Sequence, residues 1–226
     1  MGQSGEDCHN LLAKDRLGQR YKAQQYNEQP SPQELQRLNQ NIHFRRAFTL
    51  RDIDAPTSYI NREWNWAVRQ ANLQQDDGLL LAAAKRASDM GWYDRAIYAA
   101  DRTIARHNDS YRYATPYRSN VVSHSANVGI DPAWAYGLMR QESRFVTQAR
   151  SHVGAGGLMQ IMPNTAKLVA RNMGETYNPA ALSEMNTNIR YGTFYLSMIQ
   201  NQLSGNTVLA TAGYNAGPNR ARRWQP

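Results

Sequence analysis

A carboxylate placed at an apolar helical position is the first feature of this sequence that offers chemistry. Glu142 lies four residues after Leu138 and three before Phe145, in a run where Ala135, Leu138, Met139 and Phe145 recur at helical spacing. Partial removal from water disfavours the charged form of such a group and raises its pKa, as a general acid working near neutral pH requires. A glutamate hydrogen-bonded to backbone for purely structural reasons would look the same at this stage. The five histidines, His9, His43, His107, His124 and His152, show no ligand-like spacing, so no metal site is expected. Cys8 is the only cysteine, which leaves neither an intrachain disulfide nor a clustered thiol nucleophile. One carboxylate, aromatic faces and amides suggest carbohydrate chemistry. Glycosidases ordinarily flank the scissile bond with two carboxylates. From Asp131 onward the acids are Asp131, Glu142, Glu175 and Glu184 alone. Asp131 reads as a helix cap, and Glu175 and Glu184 lie in polar, turn-like surroundings. A single acid assisted by the substrate is therefore the better reading.

The elements that would position Glu142 are well signalled. Asp131 is a good N-cap and Pro132 stands at the first helical position, where a missing N–H costs nothing. After Phe145 comes a glycine-rich loop, GAGGLMQIMP over Gly154–Pro163, in which Met159 and Met162 read equally well as ordinary core. Pro163 opens a further helix that Gly174 ends, and Asn178-Pro179 is a turn. Ile189, Gly192, Leu196, Ile199 and Leu203 then form the cleanest core stripe, with Tyr195 flanking it and Gly192 allowing close approach of a neighbour. A short apolar helix runs into Gly213–Pro218, expected as a second glycine-bracketed loop that exposes Tyr214 and Asn215.

Before Asp131 the chain reads as helices of a different character. Glu6 to about Tyr26 is polar and glutamine-rich with few apolar anchors. Ser31 and Glu34 form a capping box with Pro32 behind the cap. Asp54-Ala55-Pro56 precedes a helix carrying Ile60, Trp64, Ala67 and Ala71, where Trp64 and Trp66 are expected to pack. Asp77 to Ala105 gives two helices broken at Met90-Gly91, and Gly91, Tyr93 and Ala96 resemble one tetratricopeptide-type hairpin. One such unit does not bury its own faces, so it belongs to a larger helical superstructure or packs on the next domain. The tyrosine-rich stretch from His107 to Pro116 places the domain boundary, giving 1–110 and 111–226. Val121, Val122 and Ser125 begin a short helix that Gly129 closes.

Lys and Arg outnumber Asp and Glu by 26 to 18, and the formal charge of +8 favours an anionic partner. Nucleic acid and an anionic cell-wall polymer both qualify, but no nucleic-acid reading motif is present. No apolar run is long enough to span a membrane, and the N-terminus lacks the basic and apolar regions of a signal peptide.

Four ordered motifs carry a resemblance: QES at Gln141–Ser143, GAGGLMQIMP, NIRYGTFYL at Asn188–Leu196, and GYNAGP at Gly213–Pro218. From about residue 112 the chain resembles the soluble lytic transglycosylases, and the preceding half is similar in character to their helical superstructure. The resemblance implies an all-α or mainly α architecture, a lysozyme-like helical catalytic domain preceded by a helical-hairpin segment. It implies cleavage of the N-acetylmuramic acid–β-1,4–N-acetylglucosamine bond in peptidoglycan glycan strands. Glu142 matches the family's sole catalytic acid and the product is a 1,6-anhydromuramoyl end. Ser151 matches a serine near the substrate's acetyl group, Met159, Gln160 and Met162 match groove-lining positions, and Tyr195, Tyr214 and Asn215 match residues around the acid and the sugars. No cofactor is implied; the implied location is the periplasm, after export, with cell-wall enzymes as partners of the helical segment. Gly156 and Gly213 depart from the larger residues common there, and Gly213 is expected to loosen the segment holding Tyr214. The family usually continues past the point matched by Pro226, so the catalytic domain is expected to be shortened at its C-terminus. A non-catalytic glycan- or protein-binding module and a lysozyme-type hydrolase on the same scaffold are the competing readings.

Overall fold

The computed structural model describes residues 25–224. The helix expected from Glu6 falls outside them, apart from its last residues, and Tyr26 itself is not helical. The regular elements of the described chain are helices, and its buried apolar side chains gather into two large cores and a small third cluster.

The first core is built from α1 (Pro32–Gln40), α2 (Ile42–Asp52), α3 (Thr57–Leu73), α4 (Asp77–Asp89) and α5 (Tyr93–Ala100). The capping box forms as expected: the Ser31 hydroxyl accepts from the Glu34 N–H at 3.2 Å and the Glu34 carboxylate accepts from the Ser31 N–H at 2.7 Å. Small residues at Ala83, Ala84, Ala87, Ala96 and Ala99 let α4 and α5 pack closely, and Gly91 takes the left-handed conformation their turn needs, at φ +69°. Trp64 is fully buried, edge-on to Phe44 at 5.3 Å and 4.9 Å from Trp92. Trp66, expected to pack as well, is instead 50% exposed. Two residues apart on a helix, the two rings cannot face the same core.

Asp77 organises the passage between the halves. Buried at the start of α4, its carboxylate accepts from the backbone N–H groups of Ile104, Ala105 and Arg106 at 2.9, 2.6 and 2.8 Å. Tyr111, within α6 (Asp109–Arg112), packs on the first core, and Ala114 just after it packs on the second.

The second core joins α7 (Arg118–Val128), α8 (Pro132–Glu142), α9 (Pro163–Asn172) and α10 (Met185–Gln202), with α11 (Thr207–Ala216) and α12 (Pro218–Arg222) closing one end. Gly129 ends α7 at φ +70°, and Asp131 caps α8 by accepting from the Ala133 N–H at 2.8 Å. The stripe on α10 is buried along its whole length. Three expectations need correction. α8 stops at Glu142 rather than running on to Phe145, because Arg144 and Phe145 take left-handed backbone conformations at φ +49° and +67°. Tyr214 and Asn215 lie in the last turn of α11, not in a loop. Gly213 is buried inside that helix, where an added methyl would come within 3.1–3.3 Å of Ile199, Ala221 and Leu203, so it supports close packing and does not loosen the segment.

The two halves grip α8, the helix that ends at Glu142. Arg140 on α8 donates to both Asp101 oxygens at 2.8 and 3.1 Å and to the Arg112 carbonyl at 3.0 Å. Phe145 meets Tyr93 of α5 edge-on at 6.4 Å. Asp101→Asn is expected to cost about 0.5–1 kcal/mol of stability, with the difference shrinking in high salt, as thermal denaturation at two ionic strengths would read.

Candidate active site

Three helices converge on Glu142. It is the last residue of α8. Burial raises its pKa, and a hydrogen bond with the Asn215 amide opposes that shift in part. Asn215 comes from the end of α11, as does Tyr214, whose hydroxyl donates to the Met159 carbonyl at 2.8 Å. Burial, the nearby Glu142 charge and Tyr195 together keep the Tyr214 phenol well above its ordinary pKa, so it remains a neutral donor. Its ring lies 5.3 Å from that of Tyr195 on α10, itself shifted up by burial and held by a hydrogen bond with Thr165.

The turn after Glu142 is fastened to the glycine-rich segment. The Ser143 hydroxyl donates to the Leu158 carbonyl at 2.7 Å and accepts from the Phe145 N–H at 3.1 Å. Beneath it, the buried Asn188 amide makes three bonds: its oxygen accepts from the Met159 N–H at 2.8 Å, and its nitrogen donates to the Gly156 and Leu182 carbonyls at 3.0 and 2.9 Å. Gly157, at φ +76°, passes so close that a Cβ would collide with the Asn188 amide and the Leu182 carbonyl. Only glycine fits.

The residues expected around the acid are distributed unevenly. Glu142, Tyr195, Tyr214 and Asn215 come together. Met162 is 38% exposed at the start of α9, and Ser151 is half-buried with its hydroxyl accepting from the Ala155 N–H at 2.9 Å. Gln160 spends its amide nitrogen on the Ala149 and Gly157 carbonyls at 3.0 and 2.8 Å, leaving its oxygen without a protein partner among the described residues. Met159 is the correction. Its side chain is fully buried in the slot that Gly192 leaves open, where a Cβ would strike its sulfur, so only its backbone carbonyl serves the site. Ser143, Thr165 and Asn188 were not singled out from the sequence. Ser143 and Asn188 stood inside quoted motifs, and a polar residue at a core-facing position of α10 was the available signal for Asn188.

Every other acid in this half is committed. Glu175 pairs with Arg190 and accepts from the Tyr191 hydroxyl at 3.2 Å, and Glu184 caps α10 by accepting from the Asn186 and Thr187 N–H groups at 2.9 and 2.6 Å. These bonds hold both carboxylates below their ordinary pKa. Among the described residues, no cluster of three or more His, Cys, Asp or Glu is placed to hold a metal ion. The arrangement supplies one acid of raised pKa, a neutral phenol beside it and an amide that steadies it. Tyr214→Phe is expected to lower turnover about tenfold and stability by about 1 kcal/mol, measured by steady-state kinetics and urea denaturation.

Residues 119–226 match the family described as Transglycosylase SLT domain, and residues 37–105 match the Soluble lytic murein transglycosylase L domain. The soluble lytic murein transglycosylase of Salmonella typhimurium is 34% identical over 143 residues, which are 62% of this chain and 22% of the relative. A membrane-bound lytic murein transglycosylase C from Cronobacter sakazakii is 32% identical over 134 residues, 54% of this chain and 37% of the relative. Among solved structures, an inactive mutant of lytic transglycosylase Slt from Pseudomonas aeruginosa superposes with a TM-score of 0.84 at 37% identity, over 97% of this chain and 35% of that one. The 70 kDa soluble lytic transglycosylase of Escherichia coli gives 0.78 at 26% identity, over 98% and 35%, and a 70 kDa soluble lytic transglycosylase in complex with bulgecin A gives 0.77 at 27%, over 98% and 35%. The sequence matches thus cover about a fifth of the soluble relatives, and the chain as superposed spans about a third of the solved enzymes.

Proposed function

We propose that this chain, which belongs to the soluble lytic transglycosylase family, cleaves the β-1,4 bond between N-acetylmuramic acid and N-acetylglucosamine in peptidoglycan and leaves a 1,6-anhydromuramoyl end. The observation that carries the proposal is the commitment of every neighbouring acid to a cap or an ion pair, which leaves Glu142 alone to do acid–base work.

Protonated at the start, Glu142 gives its proton to the glycosidic oxygen as the C1–O bond breaks. The substrate's N-acetyl oxygen supports the cationic centre at C1. Glu142, now a carboxylate, removes the proton of the sugar's own 6-hydroxyl as that oxygen closes on C1. The proton is returned, no water is consumed and no second carboxylate is needed. Asn215 steadies the carboxyl, and Tyr214 holds the floor through Met159. Ser151 would receive the acetyl group, with Gln160, Met162 and Tyr195 along the groove. Residues 111–226 form the catalytic domain and residues 1–110 the helical superstructure, a surface for cell-wall enzyme partners. The place of action is the periplasm. Among the described residues no helix is long and apolar enough to cross a membrane.

The test is a mass spectrum of the products released from purified sacculi. Anhydromuropeptides are expected. Reducing-end products would assign a hydrolase on this scaffold, and binding to sacculi without release would assign a non-catalytic module.

The raised Glu142 pKa also has a signature in stability. Folding keeps this carboxyl protonated above the unfolded value, so its contribution is fully present below the unfolded pKa and is lost as pH rises through the folded one. Activity is expected to decline over the same window as the acid form disappears. Glu142→Gln, which carries no charge at any pH, is therefore expected to be more stable than the parent at neutral pH and to match it below about pH 4. Urea denaturation across pH 3.5–8 reads the crossover.

A further inference from the structure

We infer that the solvent-facing stripe of α3 docks an acidic amphipathic helix of another protein. This gives a place and a chemistry to the partner surface proposed for residues 1–110 and rests on that reading, while the chemistry of Glu142 does not enter it. α3 is apolar on two faces. Trp64, Ala67, Val68 and Ala71 are buried in the first core, whereas Tyr59, Trp66 and Leu73 stand outside, 49%, 50% and 67% exposed. Single exposed apolar side chains are ordinary, but these three recur at every seventh residue, and Arg62 and Arg69 fall between them at the same period. Tyr59, Arg62, Trp66, Arg69 and Leu73 therefore make one line at alternating steps of three and four, the seam that a coiled-coil helix presents to its partner. At the helical rise per residue it runs for about 21 Å.

The seam is set before a partner arrives. His43 of α2 meets the Trp66 ring edge-on at 6.5 Å, and the Arg62 guanidinium lies 5.2 Å from the centre of the Tyr59 ring. Beside the seam, between α3 and Tyr98 of α5, lies a depression of about 480 Å³ lined by Arg62, Trp66 and Arg69. Neither arginine makes an ion pair or a side-chain hydrogen bond among the described residues. By contrast, Arg95 and Arg102 near Tyr98 are spent, one on Asp94 and Asn65, the other on the Tyr98 carbonyl. A second copy of this chain set seam to seam would bring four arginines together, so like charge opposes self-pairing. A lipid surface that took up Tyr59, Trp66 and Leu73 would have to take up Arg62 and Arg69 from the same line, at the cost of their hydration. A helix with apolar residues at one heptad position and Glu or Asp at the other meets both requirements. It covers the rings and gives each guanidinium a carboxylate. Trp and Arg are also the side chains that most often dominate binding at protein interfaces.

A fluorescein-labelled synthetic helix about three heptads long, with leucine at every seventh residue and glutamate between, tests this by anisotropy against the whole chain. Saturable binding that weakens as salt is raised is expected. Trp66→Ala is expected to weaken it at least about tenfold. Arg62→Glu with Arg69→Glu is expected to abolish it and to create binding to the counterpart peptide carrying lysine in place of glutamate, a gain that a misfolded variant could not show. Binding unmoved by these substitutions overturns the inference while leaving a partner surface elsewhere on the chain. A parent chain that does not bind the peptide overturns both, as does one that instead binds phosphatidylglycerol vesicles, or itself, through the same residues. The chain carrying Glu142→Gln is expected to bind the peptide like the parent. Release of anhydromuropeptides without peptide binding removes the docking surface alone, and peptide binding without release removes the catalytic reading alone.

Discussion

Glu142→Gln is expected to abolish the release of anhydromuropeptides from sacculi, with a loss of at least about a thousandfold in turnover and no loss of fold. General acid–base groups contribute roughly 10²–10⁴-fold each, and in the proposed reaction one carboxyl acts first as acid and then as base in a single turnover. Glutamine keeps the size of the side chain and a hydrogen-bonding partner for Asn215, so the helices stay assembled. Neither Glu175 nor Glu184 is free to substitute, one being paired with Arg190 and the other capping α10. The measurement is a single-turnover assay on sacculi, with circular dichroism as the check on fold. Residual activity above about a tenth of the parent's would show that another group carries the proton. The same variant is the more stable one at neutral pH, so loss of activity and gain of stability should appear together. Groups kept at a cost for function behave in that way.

Asn188→Ala is expected to be the most damaging substitution outside Glu142. It leaves the Met159 N–H and the Gly156 and Leu182 carbonyls without their partner in a site from which water is excluded. At about 1–3 kcal/mol for each buried group left unsatisfied, and with some relaxation, the expected loss is roughly 3–5 kcal/mol. Activity should fall further than stability explains. Met159 accepts the Tyr214 hydroxyl and Leu158 accepts Ser143, so the same segment orients both sides of the acid. Urea denaturation gives the first quantity, and kcat measured where the variant is fully folded gives the second. A destabilisation below about 1 kcal/mol would mean that solvent reaches the three backbone groups.

Much of this was legible along the chain because the relevant physics is local. Asp131 with Pro132, Ser31 with Glu34, and Gly91, Gly129 and Gly174 each specify a helix end within a few residues, and all appear where expected. The core stripe of α10 was equally clear, since periodicity reports burial when a helix has one covered face. Helical periodicity misled at Phe145. Its spacing fits the stripe, but the chain leaves the helix at Glu142 through two left-handed residues, and Phe145 reaches the core from a turn. Met159 was misplaced for a related reason. A methionine in a glycine-rich motif gives no indication of which way it points until Gly192, thirty-three residues later, opens a slot for it.

From its sequence alone this chain declares its helices, their caps, a lone acid with no free partner, and the motifs that identify its family. These are properties of residue type and of spacing within a turn or two. Only the tertiary structure decides that Glu142 stands at the end of its helix, that Asn215 and the neutral Tyr214 come from a helix seventy residues away to meet it, and that Asn188 is the bracket underneath. Desolvation and hydrogen-bond geometry depend on what the rest of the chain brings to a point. The raised pKa that makes Glu142 useful is therefore a property of the assembled helices, and the glutamate alone does not possess it.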